Sequence, residues 1–201
     1  GDTAFLFRSR DFMSWTYLHH LYDPGSETDC SVPDFFPLGG KHVLLFASHG
    51  RGAQYYIGDW NQKQEQFLPE RHGRMTFTGS LDPKDILVSG TLFAPITLSD
   101  DSERRIMFGW VTEGRSEKAQ RSSGWSGVHC LPRTLKLGAD GLLSIDPVIE
   151  VQSLRATCQR FDKVSIPAGS IVPLPNVTAM CAEIEVRFES GAASELGISV
   201  C

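Results

Sequence analysis

The sequence predicts an all-β protein, and three observations carry that expectation. Short apolar runs such as Val43-Leu44-Leu45-Phe46 and Ile106-Met107-Phe108 recur between turn-forming residues, as strands do. Two connections are hairpin-like: His49-Gly50-Arg51-Gly52, and Gly138-Ala139-Asp140-Gly141 with its Asp-Gly pair. Near the C-terminus Ile184, Val186 and Phe188 alternate with Glu183, Glu185, Arg187 and Glu189, the period of a half-buried strand. Helical periodicity of useful length is absent from the sequence, as is any repeat of clear identity.

Taken in order, Ala4-Phe5-Leu6-Phe7-Arg8-Ser9 is expected as a strand, followed by a turn and return over 10–17 in which Trp15 is a core residue. Residues 41–48 and 54–60 form two further strands, and 67–77 a short polar-apolar segment. Residues 89–95 and 106–111 read as strands, and 112–123 as a solvated polar loop. A hairpin turns at 137–143, and strands are expected again at 164–167 and 182–189.

Composition narrows the functional classes. With 201 residues, 41% of them hydrophobic, the chain can bury a sizeable core as one domain or two small ones. A net charge of −5 offers no basic surface, which disfavours nucleic acid and anionic membranes as partners. No apolar run approaches the roughly 20 residues a membrane span requires. The cysteines at 30, 130, 158, 181 and 201 form no C-x-x-C pair, and no metal or cofactor motif is present. The chain opens without Met and stops within the alternation Leu196-Gly197-Ile198-Ser199-Val200, so it is expected to be part of something longer.

The stretch richest in chemistry is Thr28-Asp29-Cys30-Ser31-Val32-Pro33-Asp34-Phe35-Phe36-Pro37. Pro33 cannot donate to a β-ladder, so Asp29 and Asp34 belong on a loop or a strand edge. Loops at the end of a rigid sheet are where catalytic groups usually sit. Two acids so placed suit general acid/base work, glycoside hydrolysis above all. They equally suit turn capping, which the spacing alone favours. His49 and Arg51 read by themselves as solvated hairpin residues.

Several motifs resemble those of glycoside hydrolase family 32, the invertases, inulinases, levanases and related fructosyltransferases. Asp29-Cys30 followed by Pro33-Asp34-Phe35 is similar to the family's Glu-Cys-Pro-Asp-Phe, with Asp in place of Glu and Ser31-Val32 interposed. Gly124-Trp125-Ser126-Gly127 ahead of Pro132-Arg133 resembles Gly-Trp-Ala-Gly-x-x-x-x-Pro-Arg, with Ser126 for Ala. Ser9-x-Asp11-x-x-x-Trp15, Tyr55-Tyr56-Ile57-Gly58, Gly109-Trp110 and Pro147-Val148-x-Glu150 add further matches.

The resemblance implies a partial five-bladed β-propeller over 1–152, a linker over 153–160 and the first strands of a β-sandwich over 161–201. It implies a retaining glycosidase with Asp29 or the nearby Glu27 as acid/base, and Asp34, His49 and Arg51 near the sugar. Asp34 would then raise the acid's pKa by its charge. The partner would be a fructose-containing oligo- or polysaccharide, no cofactor is implied, and an extracellular or periplasmic setting is favoured. Neither Asn-Asp-Pro-Asn, the family's nucleophile segment, nor Arg-Asp-Pro occurs, so this stretch alone is expected to be inactive. Fructosyl transfer, sugar binding without catalysis and protein interaction are the alternatives. Asn176-Val177-Thr178 fits a glycosylation sequon.

Overall fold

Four consecutive residues, Val43, Leu44, Leu45 and Phe46, are almost wholly buried, which marks a strand covered on both faces. A computed structural model describes residues 3–23, 29–49, 51–75, 92–189 and 191–200. In it this run lies within β4 (Lys41–Ser48), flanked by β3 (Ser31–Leu38) and β5 (Gly52–Asn61), with β6 (Gln66–Arg74) outside β5. The four strands form an antiparallel meander with β3 at one edge. The segment expected as polar-apolar over 67–77 is thus largely the strand β6. A bulge at Ile57/Gly58 brings β6 so close that a Cβ on Gly58 would meet the Leu68 carbonyl at 2.0 Å, so only glycine fits there.

Alternate residues of β4 feed two cores. Val43 and Leu45 pack with Phe36, Tyr55, Ile57, Leu92, Met107 and Leu135. Leu44 and Phe46 pack on the opposite face with Ala4, Cys30 and Phe67. The meander therefore lies between a hairpin, β1 (Ala4–Ser9) with β2 (Trp15–Tyr22), and a further sheet. That sheet is again an antiparallel meander: β7 (Leu92–Ser99), β8 (Arg105–Val111), a third strand broken into β9 (Val128–His129) and β10 (Arg133–Leu137), and β11 (Leu143–Pro147). The Asp-Gly hairpin joins the last two as expected. Stacked meanders of this kind are propeller blades, here not closed into a ring.

The turn between β1 and β2 is tied by Asp11, whose Oδ1 accepts from the Met13 and Ser14 amides at 2.9 and 2.8 Å. Trp15, expected in the core, is instead 54% exposed. It shares the uncovered face of a two-stranded sheet with Phe5, Phe7 and Tyr17, all exposed. The loop expected over 112–123 contains a helix, α1 (Glu117–Ser123). Ser116 caps its start by accepting from the Ala119 amide, and Gly124 closes it in the left-handed conformation. Because the helix buries no residue, it has no apolar stripe to reveal it.

Chain contacts divide the protein into Gly1–Ser153 and Leu154–Cys201. In the second unit Arg155 grips Glu183 through two bonds of 2.6 Å. Its described residues form no strand, so the alternation at Ile184, Val186 and Phe188 stays unpaired. Alternation supplies an apolar face, but a strand is stable only against a partner strand and a covering layer.

Candidate active site

The two meanders meet along β3 and β7, each the edge strand of its sheet. Both edges are interrupted in the same way. β3 is bulged between Ser31 and Asp34, where Val32 has φ +49° and precedes Pro33. β7 is bulged between Phe93 and Ile96, where Ala94 has φ +48° and precedes Pro95. Left-handed backbone on a β-branched residue is rare, and such strain gathers at functional sites. The paired bulges open a cleft of about 260 Å³ lined by Val32, Pro33, Asp34, Ala94, Pro95 and Ile96.

Asp34 does not present a free carboxylate to this cleft. Its Oδ2 accepts from both the amide and the hydroxyl of Thr97, each at 2.7 Å, tying one blade to the next. Both Thr97 donors fall on Oδ2, and Asp34 remains among the residues that line the cleft.

At the end of β3, Asp29 is 19% exposed and is gripped by His49 at the end of β4. Asp29 Oδ1 accepts from the His49 amide at 2.8 Å, and Oδ2 lies 2.6 Å from His49 Nδ1 and 2.9 Å from the Ser31 hydroxyl that donates to it. Burial alone pushes the Asp29 pKa up, but the His49 ring, the His49 amide and the Ser31 hydroxyl outweigh it and leave the value lowered. A general acid must hold a proton near neutral pH, and Asp29 in this setting is held as a carboxylate.

From His49 an aromatic line runs across to the second blade. The His49 ring is 5.4 Å from Phe93, and Phe93 is 6.1 Å from Trp110. Gly127, at φ +68°, lies against Trp110 so closely that a Cβ would fall 2.8 Å from the indole nitrogen. Glu113 anchors the loop that follows β8: it accepts from the Arg115 guanidinium, the Arg115 amide and the Gly127 amide. These bonds, the guanidinium's first, hold its carboxyl far below the usual range. Arg115 then covers one face of Trp125 at 3.5 Å, while that indole stays 53% exposed.

Of the residues singled out in the sequence, the fold brings Asp29 and His49 into contact. Arg51 lies in the β4–β5 turn, its carbonyl accepting from Arg74 at 3.0 Å. Its charge is felt by Tyr22 and by His72, whose pKa burial lowers first and Arg51 and Arg74 lower further. Glu27, Gly50 and residues 76–91 lie outside the described residues. Phe93, Glu113, Arg115 and Trp125 were not singled out as site residues, although Trp110 and Trp125 sit within the Gly-Trp motifs. Among the described residues no group of three or more His, Cys, Asp or Glu could hold a metal ion, and no helix is long and apolar enough to cross a membrane.

Stacked antiparallel meanders with a cleft between two blades define part of a β-propeller with a candidate small-molecule site. The model of the glycosyl hydrolase family 32 N-terminal domain matches residues 1–147. The chain belongs to glycoside hydrolase family 32. It is 29% identical to the β-fructofuranosidase, insoluble isoenzyme 4, of Oryza sativa subsp. japonica, over 94% of this chain and 34% of that protein. It is 28% identical to a fructan 1-exohydrolase of Aegilops speltoides with the same coverage. The chain thus spans about a third of the length of the curated relatives it matches. Among solved structures, fructan 1-exohydrolase IIa from Cichorium intybus matches with a TM-score of 0.63 and 28% identity, over 77% of this chain and 32% of that one. A family 32 β-fructofuranosidase of Bombyx mori shares the fold at TM-score 0.61 and 22% identity, over 76% of this chain and 33% of that one.

Proposed function

We propose that the protein containing this chain hydrolyses β-fructofuranosides of the sucrose, inulin or levan type with retention of configuration. The observation that carries the reading is Asp29, bonded to Ser31 just ahead of the Val32–Asp34 wall of the β3–β7 cleft, within a motif of a family whose matched relatives are named as β-fructofuranosidases and fructan exohydrolases. Retention requires a nucleophilic carboxylate and an acid/base group about 5–5.5 Å apart. The acid/base belongs to the loop of Glu27 and Asp29; the nucleophile motif is not in this sequence. Residues 1–152 would then form propeller blades, 153–160 a linker and 161–201 the opening of a β-sandwich.

The test is incubation of the full gene product with sucrose, inulin and levan, following released fructose and its first-formed anomer by NMR. Release of β-fructofuranose is the expected result, and the α anomer or no release overturns the reading. A non-catalytic sugar-binding propeller has one observation in its favour, the Ser31 and His49 groups that already engage both oxygens of Asp29. Saturable fructan binding without turnover is its signature.

A further inference from the structure

Beside the acid loop, the first blade gathers cationic side chains that have no acidic partner among the described residues. Arg51 stands two positions beyond His49, whose amide donates to Asp29 at 2.8 Å. The Arg51 amide donates to the Ser48 carbonyl at 3.2 Å, which tightens the turn and leaves its side chain exposed there. Arg74, at the end of β6, reaches the same turn. Its Nη2 donates to the Arg51 carbonyl at 3.0 Å, while its Nε–H is buried without an acceptor. The acids near this turn are occupied elsewhere: Asp29 by Ser31 and His49, and Asp23 by His20 at 3.6 Å. In a chain of net charge −5 the two guanidiniums are a local reversal of sign.

Their neighbours register that field. His72 is faced by Gln54 and Tyr56 of β5, with its Nε2 2.9 Å from Gln54 Oε1 and its ring stacked on Tyr56 at 4.6 Å. Partial burial first, then the charges of Arg51 and Arg74, hold the His72 pKa below its ordinary value. Burial, Tyr56 and Cys30 push the Tyr22 pKa up, and Arg51 opposes them. The Arg51 charge is therefore felt beside Cys30, the residue that follows Asp29. A carboxylate would offer two oxygens and one charge to such a pair of cations. A phosphate monoester offers three oxygens and about two charges, and guanidinium N–H groups fork onto its oxygens.

We infer that Arg51 and Arg74 form a subsite for a phosphate group beside the acid loop, free or esterified to the sugar. The esterified form rests on the fructosidase reading above; phosphate binding itself does not require it. His72 flanks the subsite and reports its occupancy. An anion that offsets the two guanidiniums removes their effect on the ring, so the His72 pKa rises on binding.

The experiment titrates inorganic phosphate into the full gene product and its Arg51→Gln and Arg74→Gln variants by calorimetry. The His72 ring is followed by NMR, and kcat/KM is measured on sucrose and on sucrose 6-phosphate. Arg51→Gln keeps the carbonyl that Arg74 grips, so it removes charge while sparing that bond. The wild type is expected to bind phosphate saturably, and each variant to lose about tenfold or more in affinity, as when one charged hydrogen bond is removed. Phosphate should raise the His72 titration in the wild type and leave it unmoved in the variants. A higher kcat/KM on sucrose 6-phosphate than on sucrose, with that preference lost in Arg51→Gln, assigns the phosphate to the substrate. Equal values with phosphate still bound assign the free anion. A wild type with neither saturable phosphate binding nor a preference for the ester overturns the inference, as does a His72 ring that phosphate leaves unmoved or binding undiminished in both variants. An inactive wild type that binds phosphate removes the fructosidase reading and leaves the subsite. An active wild type that neither binds phosphate nor prefers the ester removes the subsite alone.

Discussion

The two blades, the sheets β3–β6 and β7–β11, share a framework and differ in what they mount on it. Each is a meander whose cleft-facing edge strand is bulged at a left-handed residue before proline, Val32-Pro33 in one and Ala94-Pro95 in the other. Each sends a residue of its second strand into the core between them, Leu45 from β4 and Met107 from β8, both fully enclosed. The first blade places Asp29 just before its edge strand β3 and His49 just after the inner strand β4, a polar pair with a two-thirds exposed ring. The second ends in Trp110, Trp125 and the Glu113–Arg115 clamp. Repeated backbone therefore marks the scaffold, and chemistry resides in the connections, where side chains are released from core packing.

The sharpest test of the shared framework is in the core. Leu45→Ala and Met107→Ala should each lower stability by about 2–5 kcal/mol, read from urea denaturation. Similar losses mean that the blades rest on one core, whereas a much smaller loss at either position breaks the equivalence. The tie between blades comes next. Asp34→Ala removes both bonds to Thr97, and a hydrogen bond to a charged group contributes about 1.5–3 kcal/mol. Thr97→Val, which deletes one of the two, should lose less. Equal losses would show that the hydroxyl carries the whole tie.

A smaller effect of opposite sign is expected at the bulges. Left-handed backbone costs a non-glycine residue roughly 1–2 kcal/mol, against which glycine's greater unfolded entropy must be set. Val32→Gly should gain about 0.5–1 kcal/mol and Ala94→Gly less, since the branched side chain is the more strained. A loss at Val32 would show that its side chain packs the cleft wall more than it strains the backbone.

The smallest effect separates the blades by pH. Burial lowers His72 and His42 in the first blade below their ordinary value. The unfolded chain takes those protons first, so their contribution is full above about pH 6.5 and declines as pH falls below it. In the second blade Arg115 lowers Glu113 and Arg104 lowers Asp100 and Glu150. Carboxyls lowered in the folded state contribute fully above their unfolded values near pH 4, and that contribution is lost as pH falls through the folded ones. Hydrogen exchange between pH 7 and 4 should therefore loosen β5–β6 before β7–β8. Simultaneous loosening would assign the pH response to the shared core instead.

Strands were legible wherever apolar runs met turn chemistry, as at β4–β5 and the Asp-Gly hairpin. They were not legible where the partner decides. Trp15 carries every mark of a core residue, yet it lies on a two-stranded hairpin with one face uncovered. Ile184, Val186 and Phe188 alternate correctly and remain unpaired. The helix α1 escaped because it buries nothing. At the site, the acidic loop was visible, but the roles of its two aspartates were not: one is committed to Thr97, 63 positions away, and the other to His49, 20 positions away.

By itself the sequence determined the all-β class, the strand runs and their turns, and the loop in which acid chemistry is concentrated, because each depends on residues within a few positions of one another. Only the tertiary structure decided that Asp34 joins blades, that Asp29 is held ionised against an imidazole, and that two left-handed bulges open a common cleft. Protonation and hydrogen-bonding partners are set by groups distant along the chain, and folding alone brings those together.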